Sequence, residues 1–247
     1  MAYTEGNTYP ANARGDLRRM GILACSCVLL AVLLAAYSDW GTVPAVLLGA
    51  ASCAMLLAGY FRMHPLSRAR IFRRDEYARL LAADDRMRGA LSRLDDTHFV
   101  LSNIMVELFH VEHLVVSRGG IFVIAAVPGN GQPALSGSAL FAGGRSLEPK
   151  TAALWRACHF FNMIIQKSYR SQVMPRPVLV FTDLESVPFG EFDGISIVTP
   201  DGLLPAIMSV RTDALSKELC DSIAYYLKSR YIEAGSADDL PDRNRNG

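Results

Sequence analysis

The stretch Leu108–Gln132, LFHVEHLVVSRGGIFVIAAVPGNGQ, decides how the rest of the chain is read. Two runs rich in Val, Ile and Phe flank Gly119-Gly120, a pair able to supply the positive φ of a tight hairpin turn. With these glycines as the loop, Arg118 faces Ile121, Leu114 opposes Ala125 and Glu112 opposes Val127. Alternation then puts Glu112, Leu114, Ala125 and Val127 on one face. A carboxylate in so apolar a hairpin is either an exposed position on a half-solvated sheet or a group with a task.

Composition narrows the classes. The chain has 247 residues, 51% of them hydrophobic, and a mean hydropathy of +0.19. That is high for a wholly soluble protein and directs attention to membrane segments. With 25 basic and 24 acidic side chains the net charge is +1. Nucleic-acid binding therefore has no global electrostatic case and must be argued locally. The five cysteines form neither CxxC nor a Cys/His zinc spacing, so neither a disulfide framework nor a zinc site is indicated.

Residues 1–17 are polar and aperiodic and read as a flexible tail. Met20–Tyr37 and Val43–Phe61 are apolar runs without a charge, joined by Ser38-Asp39-Trp40-Gly41-Thr42. Each has about the 17–25 residues a helix needs to cross a bilayer. Residues 18–62 thus predict a two-helix transmembrane hairpin, with Tyr37, Trp40 and Tyr60 at the interfaces. A cleaved signal peptide is the rival for the first run, disfavoured because a second span follows at once. Small residues recur every four positions: Cys27, Ala31 and Ala35, then Ala45, Gly49 and Cys53. These stripes serve packing within the hairpin or self-association. Arg14, Arg18 and Arg19 precede the hairpin, and Arg62, Arg68, Arg70, Arg73 and Arg74 follow it. The positive-inside rule puts both termini in the cytoplasm of a bacterial-type inner (plasma) membrane. Residues 63–74 form a basic linker suited to anionic headgroups, with nucleic acid as the other candidate.

Residues 75–232 read as a cytoplasmic domain, and 233–247 as a disordered tail. Asp75–Leu94 has helical periodicity, with Tyr77, Leu80, Leu81, Met87, Leu91 and Leu94 on one stripe. A strand over His98–Glu107 leads into the hairpin, and Ala139–Phe141 is a further edge strand. Pro149 opens a helix to Tyr169. Val178–Phe181 and Ile195–Val198 are strands, Leu203–Ser209 a short helix, and Thr212 caps a last helix bearing Leu215, Leu219, Ile223 and Tyr226. Helices on a mixed sheet make the class α/β or α+β.

Val111–Gly131, VEHLVVSRGGIFVIAAVPGNG, resembles the core of the nuclease-related domain (NERD) family, a branch of the PD-(D/E)xK nuclease superfamily. That family reads I-D-H-L-V-V, a turn, then G-I-F-V-I-E-x-K and a later Gly. Glu112 stands at the strand Asp, His113 at the next His, Gly120–Ile124 at the second strand and Gly131 at the later Gly. The family's Glu and Lys are replaced by Ala125 and Val127. The family's helix pattern G-E-x-x-V-x-x-x-L, aligned on Leu91, puts Met87 at its Val and Asp84 at its Glu. Taken alone, Asp84 reads as a solvated helix charge beside Asp85 and Arg86. The likeness runs from about Ala83 to the last helix, weaker after Gly131, where Glu148-Pro149 and Pro177–Phe181 fit. It implies a restriction-endonuclease-like mixed sheet flanked by helices.

The superfamily hydrolyses phosphodiesters: carboxylates hold Mg²⁺, and a Lys stabilises charge or positions water. Asp84 and Glu112 are the remaining candidate metal ligands. Ala125 and Val127 can neither ligate nor donate. Losing one placed electrostatic group costs ~10²–10³ in rate. Gln132, Lys150 and Lys167 are candidate substitutes that the sequence does not rank. His110 and His113 fall on opposite faces of a strand and cannot share a metal, while His110 shares the face of Glu112. Gly129-Asn130-Gly131 lacks the Gly-Lys-Ser/Thr of a phosphate loop. Arg156, Lys167 and Arg170, with His159, form either a nucleic-acid-binding helix face or a solvated one. The expectation is an anchored, catalytically degenerate nuclease-like domain that binds or scaffolds within a membrane complex, with DNA as one possible cargo and no cofactor. The alternatives are a tethered Mg²⁺-dependent nuclease with a rearranged site, and a purely structural subunit.

Overall fold

The computed structural model describes residues 3–6, 21–22, 25–29, 32–33, 42–63, 73–106, 109–129, 131–210 and 214–233. The chain divides into two compact units, residues 8–78 and residues 1–7 with 79–247.

In the unit 8–78, the described residues of the first apolar run are helical. Helix α1, Thr42–Met63, covers the second run in 22 residues. Cys27 is buried and lies beside Cys53 on α1. The two small-residue stripes therefore meet inside one chain at this point. Among the described residues no helix is long and apolar enough to cross a membrane. The first of the two expected spans extends outside the described residues, as do Tyr37, Trp40, most of the basic linker and the tail from 234, while the second lies within α1.

The other unit is built on a mixed sheet. Its strands are β1 (Tyr3–Gly6), β2 (Phe99–Val106), β3 (Phe109–Ser117), β4 (Gly120–Val127), β8 (Arg176–Phe181), β9 (Glu191–Phe192) and β10 (Ile195–Val198), ordered β1-β2-β3-β4-β8-β10-β9. β2, β3 and β4 form an antiparallel meander, while β1 on β2, β8 on β4 and β10 on β8 are parallel. A separate antiparallel ribbon holds β5 (Pro133–Ser136), β6 (Ala139–Ala142) and β7 (Arg145–Ser146). The strand at Ala139 thus belongs to this ribbon. The expected N-terminal tail also differs, since Tyr3–Gly6 is an edge strand of the main sheet.

Every residue of β4 is buried, the pattern of a strand covered on both faces. One face (Leu114, Val116, Val123, Ala125, Val127, Leu179, Phe181) packs on α3, Glu148–Tyr169, through Leu154, Ala157, Cys158, Phe161 and Ile165. The other face (Val115, Phe122, Ile124, Ala126, Val178, Val180) packs on α2, Arg74–Leu91, through Ala83, Met87, Ala90 and Leu91, and on Leu203 and Ile207 of α4, Pro200–Met208. The mixed α/β class is as expected. Pro149 sits in the first turn of α3, and Arg170 ends that helix in the left-handed conformation. Helix α5, Lys217–Lys228, is capped by Ser216, whose hydroxyl accepts from Leu219 N–H. The expected cap, Thr212, lies outside the described residues, and Leu215 precedes the helix as a buried core residue.

The central hairpin forms in a different register. Ser117 pairs with Gly120 and His113 with Ile124, so the loop is Arg118-Gly119 and Leu114 opposes Val123. A Cβ on Gly119 would come 2.9 Å from the Val210 carbonyl oxygen, while the positive φ of 134° falls on Gly120. The first glycine serves close approach and the second backbone conformation. The register moves by two residues, which preserves the alternation that sets Leu114, Ala125 and Val127 on one face.

Candidate functional site

The β3–β4 ladder stops at His113–Ile124. Hydrogen-bonded and open pairs alternate in an antiparallel ladder, so the next bonded pair would be Val111–Ala126. That pair is opened by side chains. The Glu112 carboxylate reaches across to accept the Ala126 N–H through Oε2 at 2.6 Å. Its Oε1 lies 2.9 Å from the Lys150 ammonium, which also donates to the Ala126 carbonyl. One carboxylate and one ammonium thus satisfy both polar groups of a backbone unit in a strand fork. Burial alone would raise the Glu112 pKa. The Lys150 ammonium, the Ala126 N–H and His110 outweigh it and hold the carboxyl below its ordinary value.

Lys150 arrives in the first turn of α3, on the stripe that carries Leu154, Ala157 and Phe161 into the core. Of the three candidate substitutes it alone meets Glu112 in the structure's ion pairs. Beside the pair, His110, Val123, Ala125, Leu154 and Ala157 line a small cleft. Ala125 and Val127 are buried in the apolar cluster beneath α3.

Asp84 is not part of this site. Strand alternation sends Glu112 towards α3 and His113 towards α2, and Asp84 meets His113 on that opposite face of the sheet. Asp84 is 4% exposed, so it is a buried group and not the solvated helix charge expected. Its Oδ2 accepts from Arg88 Nε at 2.9 Å and its Oδ1 from Asn103 Nδ2 at 3.2 Å. His113 Nε2 lies 3.5 Å from Oδ1, and Nδ1 is 2.9 Å from Ser102 Oγ. Burial pushes the His113 imidazole down to about 4, against the pull of Asp84 and Glu112. The Ser102–His113–Asp84 order is that of a nucleophilic triad, but Ser102 is 0% exposed. A nucleophile must reach a substrate, so the arrangement is structural.

Asn103 links the two faces. Between the pairs Ser102–His113 and Ile104–Val111 it falls opposite Glu112, in a left-handed conformation at φ 53°. That kink lets consecutive residues Ser102 and Asn103 both serve the Asp84 side while Leu101 and Ile104 join the α3 cluster. Sequence reasoning missed Ser102, Asn103 and Arg88. The signal was present: two adjacent polar residues inside FVLSNIMV break the period of a strand.

The remaining candidates stand apart. Arg156, Lys167 and Arg170 are exposed. At about 100° per residue, Arg156 and Lys167 lie on the side of α3 away from Leu154 and Phe161, so the basic face does not adjoin Glu112. The Gly129 N–H is taken by the Asp183 carboxylate, itself paired with Arg86, and is not offered to a phosphate.

Among the described residues no three His, Cys, Asp or Glu side chains gather as a metal site requires. Divalent magnesium fits poorly at Glu112: among the described residues no second carboxylate lines the cleft, and Lys150 already brings a positive charge to the Glu112 oxygens. The chain matches no family model, no curated protein and no solved structure in the comparisons made.

Proposed function

We propose that this chain is a membrane-anchored, nuclease-like protein whose catalytic centre is replaced by an internal ion pair, and that it works as a binding or scaffold subunit of a complex at a bacterial-type inner (plasma) membrane. In this reading residues 18–62 form a transmembrane hairpin, both termini and the globular domain are cytoplasmic, and the sheet is a restriction-endonuclease-like core. The observation that carries it is the Lys150 ammonium between Glu112 Oε1 and the Ala126 carbonyl. A hard cation would seek those oxygens, and a protein cation holds them. The separation of Asp84 from Glu112 supports the same reading, because the two acids cannot share an ion.

The same lysine favours one second reading, a nuclease in which Lys150 has taken over from the residue at Val127. It is the weaker one, since a single carboxylate faces the cleft and the ammonium is engaged twice. A third reading, a structural subunit with no nucleic-acid contact, differs from the first only at the basic face of α3. The test uses the full chain in nanodiscs with DNA and RNA, in Mg²⁺ and Mn²⁺. No cleavage above background is expected. Metal-dependent cleavage that disappears in Glu112→Ala would establish the second reading instead. Retention of DNA that is lost in Arg156→Ala/Lys167→Ala/Arg170→Ala separates a DNA-handling scaffold from a purely structural one.

A further inference from the structure

We infer that Tyr3–Gly6 is a latch that closes the free edge of the main sheet, and that residues 8–78 consequently return the chain to the side of the membrane from which it left. The second clause rests on the membrane-anchored reading; the first does not.

Tyr3, Thr4, Glu5 and Gly6 pair in parallel with Phe99, Val100, Leu101 and Ser102. The two strands are separated in sequence by the whole of the unit 8–78. A hydrogen-bonded ladder cannot form across a bilayer. Any membrane crossings between Gly6 and Phe99 must therefore be even in number. This constraint is independent of flanking charge, and it agrees with two spans and not with one. It also disfavours removal of the first apolar run by cleavage, which would detach β1 from its sheet. Two packed helices have axes about 8–10 Å apart, so a hairpin brings the chain back close to its point of departure and favours closure of so long a loop.

The latch has a physical task. Without β1, β2 is an eight-residue edge whose outward N–H and C=O groups are unpaired over Phe99–Ser102. Such an edge recruits other strands. The opposite edge of the sheet is β9, only two residues long. β1 likewise replaces a long edge by a short one. It ends at Gly6–Ser102, where Asn103 turns β2 out of regular strand geometry. The pairing thus covers the straight part of β2 and stops at its kink. The occupant expected when the latch is absent is the β2 edge of a second copy of this chain.

The experiment compares the full chain in nanodiscs with a variant lacking residues 2–6. Hydrogen exchange should show slow amides within Phe99–Ser102 in the full chain and loss of protection or new self-association in the truncated one. Thr4→Pro/Glu5→Pro, which keeps the length but removes two donors, should behave like the truncation. Unchanged protection and a monomeric state in both variants would overturn the latch. In intact cells, an epitope tag before Met1 should be shielded from external protease while a tag inserted at Asp39 is cut. A cut N-terminal tag beside a protected domain would overturn the even crossing count. If instead the chain washes off membranes and the Asp39 tag is never exposed from outside, the anchored reading fails, and the exchange data still decide the latch.

Discussion

The Lys150 ammonium lies 2.9 Å from Glu112 Oε1, and the two side chains also take the backbone N–H and C=O of Ala126, Glu112 accepting from the one and Lys150 donating to the other. Two charges from distant parts of the chain replace one ladder pair of a sheet. Both side chains are mostly but not wholly buried, so solvent screens them in part.

Removing the cation should therefore cost more than removing the pair. Lys150→Met leaves a buried carboxylate without its partner and is expected to lower stability by about 2–3 kcal/mol, near the low end for a broken buried pair. Lys150→Met with Glu112→Gln should recover part of that loss. Urea midpoints of the single and double variants measure it. A double variant no more stable than Lys150→Met would show that the two charges are not coupled.

The pH dependence of this pair has a definite sign. The folded Glu112 pKa is below its unfolded value. Its contribution is present above the unfolded carboxylate pKa and is lost as pH falls through the folded one. Lys150→Met should flatten that acid limb of the stability curve.

His113 acts in a neighbouring window. Its folded pKa is lowered from 6.5 to about 4 by burial. Below pH 6.5 the unfolded chain takes up a proton that the native state refuses until about pH 4. Stability therefore falls across that window and levels off beneath it, by roughly 3 kcal/mol when complete, at 1.36 kcal/mol per unit. His113→Gln, neutral in both states, should remove this slope. A variant that keeps the wild-type slope between pH 6.5 and 4 would assign it to other groups.

Asn103 carries a backbone constraint and a hydrogen bond together. Asn103→Ala should cost about 1–2 kcal/mol for the left-handed conformation and a further ~1 kcal/mol for the bond to Asp84. Asn103→Gly should lose chiefly the bond. Equal destabilisation by both would mean that the positive φ is not a constraint.

Cys27 and Cys53 offer a check on the N-terminal unit. Mild oxidation of the chain in bilayers should join them within one chain, while the exposed Cys25 stays reactive to maleimide. Oxidised dimers in place of the internal link would show that the small-residue stripes mediate self-association.

Periodicity alone determined the apolar runs, the helices under Pro149 and Leu91, the central hairpin and the side of the sheet each of its residues faces. Those features follow from local repeats of 2 and 3.6 residues, and a register shift of two left the faces intact. The resemblance to a nuclease core singled out Glu112, with Ala125 and Val127 at the positions where that family reads Glu and Lys. Tertiary structure alone decided which lysine meets Glu112, because Lys150 reaches it from a helix 38 positions later in the chain. It also decided that Asp84 lies on the other side of the sheet, since no sequence pattern says which face a flanking helix covers. The strand at Tyr3–Gly6 was invisible for a related reason. Four polar or aromatic residues carry no period of their own, and only the open edge of β2, formed 96 residues downstream, makes them a strand.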